Sequence, residues 1–335
     1  MTKPPFEIND RIINMLADIM NKLGGLNAAL NKKMNLHLRK ASVIKTVNSS
    51  CAIEANTLTE QQVEWVIEGK RVIAPPKEML EVKNAYNAYM EMDRYDPYGT
   101  TSFLKAHKTL MDHLAEDAGR YRAMDVAVYD RDKIVHMGAR PQFVPGLMDD
   151  LFKWARSSEL NPIIKACVVH FEIETIHPFS DGNGRMGRLW QSVILCRYNE
   201  LFKLIPTETL VYKHQQRYYD VLMATQRDND STLFIEFMME MILETIDEYG
   251  DWNRMHKIKN EYIRDLTKGD RDVLMTLISN FDVDDVISAG RLSELTGKSD
   301  PTVRRHLKKF TDERILFASG EGKGRTYSLN KDLFS

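Results

Sequence analysis

The chain has 335 residues, long enough for two or three domains and too long for one ordinary helical core. Hydrophobic residues make up 43% and charged residues 28%, a globular balance that excludes long disordered tracts. The formal charge of −2 excludes a global pull toward nucleic acid or anionic lipid, so any such surface would be a local patch.

Cys51, Cys167 and Cys196 stand far apart, with no CxxC spacing, and read as reduced, buried thiols. The opening MTKPPFEINDRIINML has no basic region leading into an apolar stretch. No run of eighteen apolar residues occurs anywhere. The expectation is a cytoplasmic protein with no membrane partner.

Helical periodicity predominates from the start, beginning with IINMLADIMNKLGGLNAAL. In NSSCAIEANTLTEQQVEWV, Ser50 and Glu54 are four apart and share a helical face. That helix should end near Asn56, because Thr59-x-x-Gln62 forms a capping box for the next one. A helix over MLEVKNAYNAYMEM follows, then MDVAVYDRDKIVHM, two β-rich runs around the polar turn Tyr129–Lys133 that predict a hairpin. PGLMDDLFKWARS and LFIEFMMEMILETIDEY return to the helical period. These patterns divide the chain into a helical region over 1–95, a helical middle over 96–250, a charged linker over 251–268 and a distinct piece over 269–335.

The last piece contains the helices RDVLMTLISN and ISAGRLSELTGKS, the second ending at Gly297. Asp300-Pro301 is expected to cap a third, DPTVRRHLKKFTDERI. The strand-like runs ILFAS and TYSLN flank the turn GEGKGR. Three helices and a ribbon resemble a winged helix-turn-helix, which implies that Arg304, Arg305, Lys308 and Lys309 face a DNA major groove. Such modules also dock proteins or dimerise, so DNA and a second copy of the chain are both candidate partners.

The densest chemistry lies in NPIIKACVVHFEIETIHPFSDGNGRMGRLWQSVILCRY, residues 161–198. An apolar helix up to Ile176 gives way to the loop HPFSDGNG, and a second helix starts near Arg185. Gly182, Asn183 and Gly184 can present successive amides to an anion at that helix start, where the macrodipole already favours negative charge. Arg185 and Arg188 are three apart and can both reach phosphate oxygens. Asp181 beside an anion site makes sense if a divalent cation lies between them. His177 flanks the loop, where it can take a proton from an incoming hydroxyl. A lone His or a lone GNG would be an ordinary turn; all these groups within twelve residues are not.

HPFSDGNGRMGR matches the signature HxFx(D/E)GNGRxxR at every fixed position, so the chain resembles the Fic family over roughly residues 45–245. The resemblance implies a mainly α fold, a Fic-type helical bundle with a small β-hairpin flap that follows GRYR at Gly119–Arg122. It implies transfer of AMP from Mg·ATP onto a Ser, Thr or Tyr hydroxyl of a target protein, making this a protein adenylyltransferase. His177 would be the general base and Phe179 a core anchor. Asp181 would hold Mg²⁺, and Gly182, Asn183, Gly184, Arg185 and Arg188 would hold the phosphates. Tyr219 and Gln226 would contact adenine, and His136 and Met137 lie in the flap. Ser50 and Glu54 resemble the inhibitory motif (S/T)xxxE(G/N), whose Glu pairs with the second arginine, here Arg188. Ala55 departs from that motif. Rival readings are another transfer or AMP removal on the same scaffold, or a nucleotide-sensing DNA-binding regulator.

Overall fold

Fourteen α-helices and five short strands occur among the residues described by the computed structural model, which are 3–29, 34–130, 133–264, 266–281, 285–320 and 322–330. The chain divides into two compact units, residues 1–247 and 248–335. The first begins with α1 (Asp10–Ala29), α2 (Met34–Ile53), α3 (Glu60–Ile67), α4 (Pro76–Met90) and α5 (Thr100–Leu110). The hairpin of β1 (Ala127–Asp130) and β2 (Lys133–Met137) comes next. Then follow α6 (Val144–Ser157), α7 (Pro162–Ile176), α8 (Asn183–Tyr198), α9 (Thr207–Lys213), α10 (Gln215–Asp228) and the start of α11 (Thr232–Arg264), which runs past the end of the unit at residue 247. Helix α11 takes in most of the residues expected to be a linker.

The centre of this unit is α7 packed on α8. A helix that is apolar on all sides has to be a core helix, and α7 is buried along nearly its whole length, from Ile163 to Ile176. Gly187 lets α8 come close, since a Cβ there would stand 2.5 Å from His170 Cδ2. Helix α5 packs against α4, α6 and α8, and α2 packs against α4 and α9. The helices expected over 1–95 therefore share one unit with the middle of the chain. In α1, Ile12, Met15, Ile19 and Leu23 are buried at three- and four-residue intervals, as an amphipathic stripe requires.

Strands β1 and β2 pair antiparallel with Val128 opposite His136, and a bulge follows Val128. Arg131 and Asp132, at the centre of the expected turn, lie outside the described residues. The base of the hairpin is tied down by Arg122, whose side chain is buried. Its guanidinium donates to the carbonyls of His177 (2.6 Å), Met124 (2.7 Å), Ile176 (3.4 Å) and Ala139.

In the C-terminal unit, α12 (Lys268–Asn280), α13 (Ala289–Thr296) and α14 (Asp300–Asp312) pack with a sheet ordered β3 (Ile287–Ser288), β5 (Thr326–Leu329), β4 (Leu316–Ser319). Three strands thus stand where two were expected, because Ile287 and Ser288 pair with β5 before Ser288 caps α13. Asp300 does not cap α14. Ser299 holds the cap position, and Asp300 opens the helix and pairs with Arg304 at 2.6 Å. Glu321, in the glycine-rich turn, lies outside the described residues.

The capping box opens α3 as expected: Thr59 Oγ1 accepts from the Gln62 amide, and Gln62 Oε1 accepts from the Thr59 amide. Upstream, α2 closes with Asn56 N–H donating to the Cys51 carbonyl (3.1 Å), which puts Ala55 in the left-handed region at φ 67°. An L-residue with a Cβ pays a penalty there that glycine avoids. Ala55→Gly should therefore stabilise the folded chain by about 1 kcal/mol. Urea denaturation should show a higher midpoint at an unchanged slope; an unchanged or lower midpoint would contradict this account.

Candidate active site

The reversal between α7 and α8 is built from local constraints. His177 ends α7 in the left-handed conformation (φ 53°), its amide donating to the Ile173 carbonyl. Asn183 uses both ends of its amide on one residue, accepting from Phe179 N–H and donating to the Phe179 carbonyl, each at 2.9 Å. Phe179 is completely buried, its ring flat on His107 at 3.5 Å between centroids. Gly182 starts α8 at φ 83°, where an added Cβ would meet Met111 Sδ at 2.7 Å. Ser180 Oγ donates to Asp117 (2.6 Å).

This loop leaves a helix start whose first amides could receive an anion. The first intrahelical bond is Met186 N–H to the Gly182 carbonyl, so the amides of 183–185 carry none. Gly182 N–H is already used by Asp181 Oδ1 at 2.6 Å. The same oxygen accepts from Arg185 Nη2 at 3.1 Å. The Asn183 side chain is committed to Phe179, so only its backbone is available to a ligand. Arg185 is buried against Asp181 and Glu81 (3.8 Å), and its Nε has no partner among the described residues.

Glu54 reaches the helix start from the turn that closes α2. Its Oε1 lies 2.7 Å from Arg188 Nη2 and 2.6 Å from where a Cβ on Gly184 would stand. Ser50 supports the contact, its Oγ accepting from Arg188 Nε (3.3 Å) and its carbonyl from Nη2 (3.1 Å). The Arg188 side chain is only 2% exposed and that of Glu54 34%. Burial lowers the Arg188 pKa, but Glu54, Tyr218 and Glu174 together outweigh it and raise it. The guanidinium therefore remains charged, and removing its carboxylate partner would leave a buried cation undercompensated.

A cavity of about 430 Å³ opens beside this pair. His177, Gly184 and Arg188 line it together with His136, Tyr219 and Gln226. His177 Nδ1 faces the Glu174 carbonyl at 3.3 Å. A carbonyl can only accept, so the proton sits on Nδ1 and the Nε2 lone pair is left to act as a base. His136 Nε2 likewise donates to the Thr175 carbonyl (2.8 Å), and burial lowers its pKa. Met137 does not line the cavity and is 55% exposed. Side chains alternate along a strand, so with His136 and its cross-strand partner Val128 facing inward, the next residue faces outward.

The cavity also contains residues with no local sequence motif. Glu174 is buried in α7, accepts from Tyr218 Oη at 3.1 Å, and faces Arg188. Burial alone would raise its pKa, but His170, His177 and Arg188 hold it below the usual range. A carboxylate in a largely apolar helix was the signal that could have marked it, although Glu172 two residues earlier carries the same signal. Gln215 Nε2 (2.9 Å) and Tyr219 Oη (3.1 Å) both donate to the Ile53 carbonyl, next to Glu54. Among the described residues no group of three or more His, Cys, Asp or Glu is arranged to hold a metal. A cation here would have Asp181, 54% exposed, as its protein carboxylate and would complete its shell with ligand oxygens and water. That donor set suits Mg²⁺ bound with a phosphate-bearing ligand.

Residues 98–195 match the model of the Fic/DOC family. The chain is 28% identical over 244 residues to the protein adenylyltransferase Fic of Nematostella vectensis, covering 68% of this chain and 53% of that protein. It is 25% identical to the corresponding Aedes aegypti protein, covering 69% and 46%. The chain thus spans about half the length of these curated relatives. The crystal structure of a Fic family protein from Desulfovibrio desulfuricans G20 is 33% identical and covers 98% of this chain and 99% of that one, with a TM-score of 0.73. With this match over nearly its whole length, the chain belongs to the Fic family.

Proposed function

We propose that the protein is an adenylyltransferase that moves AMP from ATP onto a hydroxyl of a target protein, and that Glu54 holds it in an inhibited state. The observation that carries this reading is the single cavity joining a free His177 Nε2, the amide and arginine anion site, and the pocket of Tyr219 and Gln226. Gln226 Nε2 donates to the Glu174 carbonyl (3.3 Å), which leaves its amide oxygen to accept from the amino group of a base such as adenine.

In the reaction, a Ser, Thr or Tyr hydroxyl of the target attacks the α-phosphorus. His177 Nε2 takes the hydroxyl proton as the new O–P bond forms. The bond to the bridging oxygen breaks on the opposite side, and pyrophosphate leaves with its electron pair. The helix-start amides and the two arginines hold the phosphates, so positioning and charge stabilisation supply most of the rate. Bound at Asp181, Mg²⁺ would offset phosphate charge. Glu54 occupies the place of a phosphate oxygen at Gly184 and Arg188, so ATP can bind fully only after this carboxylate withdraws. Relatives named protein adenylyltransferase support the transferred group.

For the C-terminal unit we read a winged helix that docks a protein partner. Its third helix is poorly equipped to follow a DNA backbone: Arg304 pairs with Asp300 and Lys309 with Asp270, which leaves Arg305 and Lys308 as the exposed basic residues without an ion pair among the described residues. No helix among the described residues is long and apolar enough to cross a membrane.

His177→Ala should abolish transfer while leaving ATP affinity within about twofold of wild type, since a general base is worth about 10²–10⁴-fold and acts on the hydroxyl. Labelling that persists near the wild-type rate would remove His177 from the base role.

Glu54→Gly should raise autolabelling on the order of tenfold, because a phosphate misplaced by about 1 Å can cost about 10²-fold. Adding Arg188→Ala should cancel the gain, since it removes the phosphate ligand. Equal labelling by wild type and Glu54→Gly, at matched protein and Mg·ATP, would rule out inhibition by Glu54.

A further inference from the structure

His107, in the last turn of α5, is fully buried, and each of its ring nitrogens has one partner. Nδ1 lies 2.9 Å from Gly119 N–H, which can only donate, so Nδ1 supplies a lone pair. The proton is therefore on Nε2, 3.0 Å from the carbonyl of Asp181, which can only accept. One neutral tautomer satisfies both bonds. The ring also lies against Phe179, tilted by 6°. A single side chain thus holds the anchor of the 177–182 loop and the backbone of its carboxylate residue.

We infer that His107 is a positioning residue that aims the Asp181 carboxylate, and so sets how well the site holds a divalent cation against the nucleotide. The inference rests on the reading of Asp181 under Proposed function. The Asp181 side chain is more than half exposed, and only its Oδ1 is held, by Gly182 N–H (2.6 Å) and Arg185 Nη2 (3.1 Å), so where the carboxylate points also depends on how the backbone that carries it is fixed. The neighbouring tethers act elsewhere in the loop: Ser180 on Asp117, and Asn183 on Phe179. The His107 bond is the one that reaches the Asp181 carbonyl among the described residues. Groups that orient a metal ligand from behind commonly affect metal affinity by about 10–100-fold.

The test compares full-length wild type, His107→Phe and His107→Gln. Phe keeps a flat ring on Phe179 but loses both hydrogen bonds. Gln loses the ring but keeps one donor and one acceptor. Calorimetry measures binding of a non-hydrolysable ATP analogue with Mg²⁺ and with EDTA, alongside the thermal midpoint of each protein. In His107→Phe the gain in affinity from Mg²⁺ should shrink on the order of tenfold, while affinity in EDTA stays within about twofold, and His107→Gln should recover part of the gain. A purely structural His107 would lower the midpoint and leave the Mg²⁺ gain intact, and that result overturns the inference. If His107→Phe does not fold, His107→Asn, whose shorter amide can accept from Gly119 but falls short of Asp181, must show the same loss. A wild type with no Mg²⁺ gain at all would overturn the assignment of Asp181 itself, and the role of His107 with it.

Discussion

The double hydrogen bond between the Asn183 side chain and the backbone of Phe179 is the constraint on which the site depends. It closes the loop between two buried helices, and it does so with the first residue of the helix whose leading amides lack intrahelical partners. Because α7 is a core helix on all sides, the loop cannot relax by shifting it. The left-handed turns at His177 and Gly182 then set the imidazole at one end of the loop and the free amides at the other. The backbone strain at His177 is sustained by Arg122, which grips the His177 carbonyl and the root of the hairpin together.

Around that loop the electrostatics are arranged in opposed pairs. Arg188 is held by Glu54 from one side and faces Glu174 from the other, while Arg185 lies between Asp181 and Glu81. Two buried arginines would be costly to keep without counter-charges. The carboxylates therefore let the cationic pocket exist without an anion bound. Of the two that face Arg188, Glu174 is carried by the core helix α7 and Glu54 by the turn that closes α2. Its turn is strained at Ala55 and held by Gln215 and Tyr219 on one side. On the other, Asn56 Nδ2 donates to Glu81 (2.9 Å) and the Thr57 amide to Glu78 (2.7 Å). Glu174, by contrast, is fixed inside α7. The contact of Tyr219 with the Ile53 carbonyl also brings this side of the cavity within one residue of Glu54.

The chain's local patterns determined its helical character, the hairpin, the capping box at Thr59 and the run from His177 to Arg188, because each depends on spacing within a few residues. The i, i+4 relation of Ser50 and Glu54 was legible for the same reason. Tertiary structure decided what local spacing cannot encode. It brought Glu54 onto Arg188 across 134 positions, and His107 onto Asp181 across 74. It turned Met137 outward while His136 faced the cavity, since the pleat of a strand has meaning only once one face is covered. It spent the Asn183 side chain and the Gly182 amide inside the loop, leaving the later amides for a ligand. It also paired Arg304 with Asp300 and Lys309 with Asp270, two of the four basic residues that the sequence offered for a DNA groove. In each case the deciding quantity is which partner satisfies a charge or a hydrogen-bonding group away from water, and that is settled only when distant segments pack.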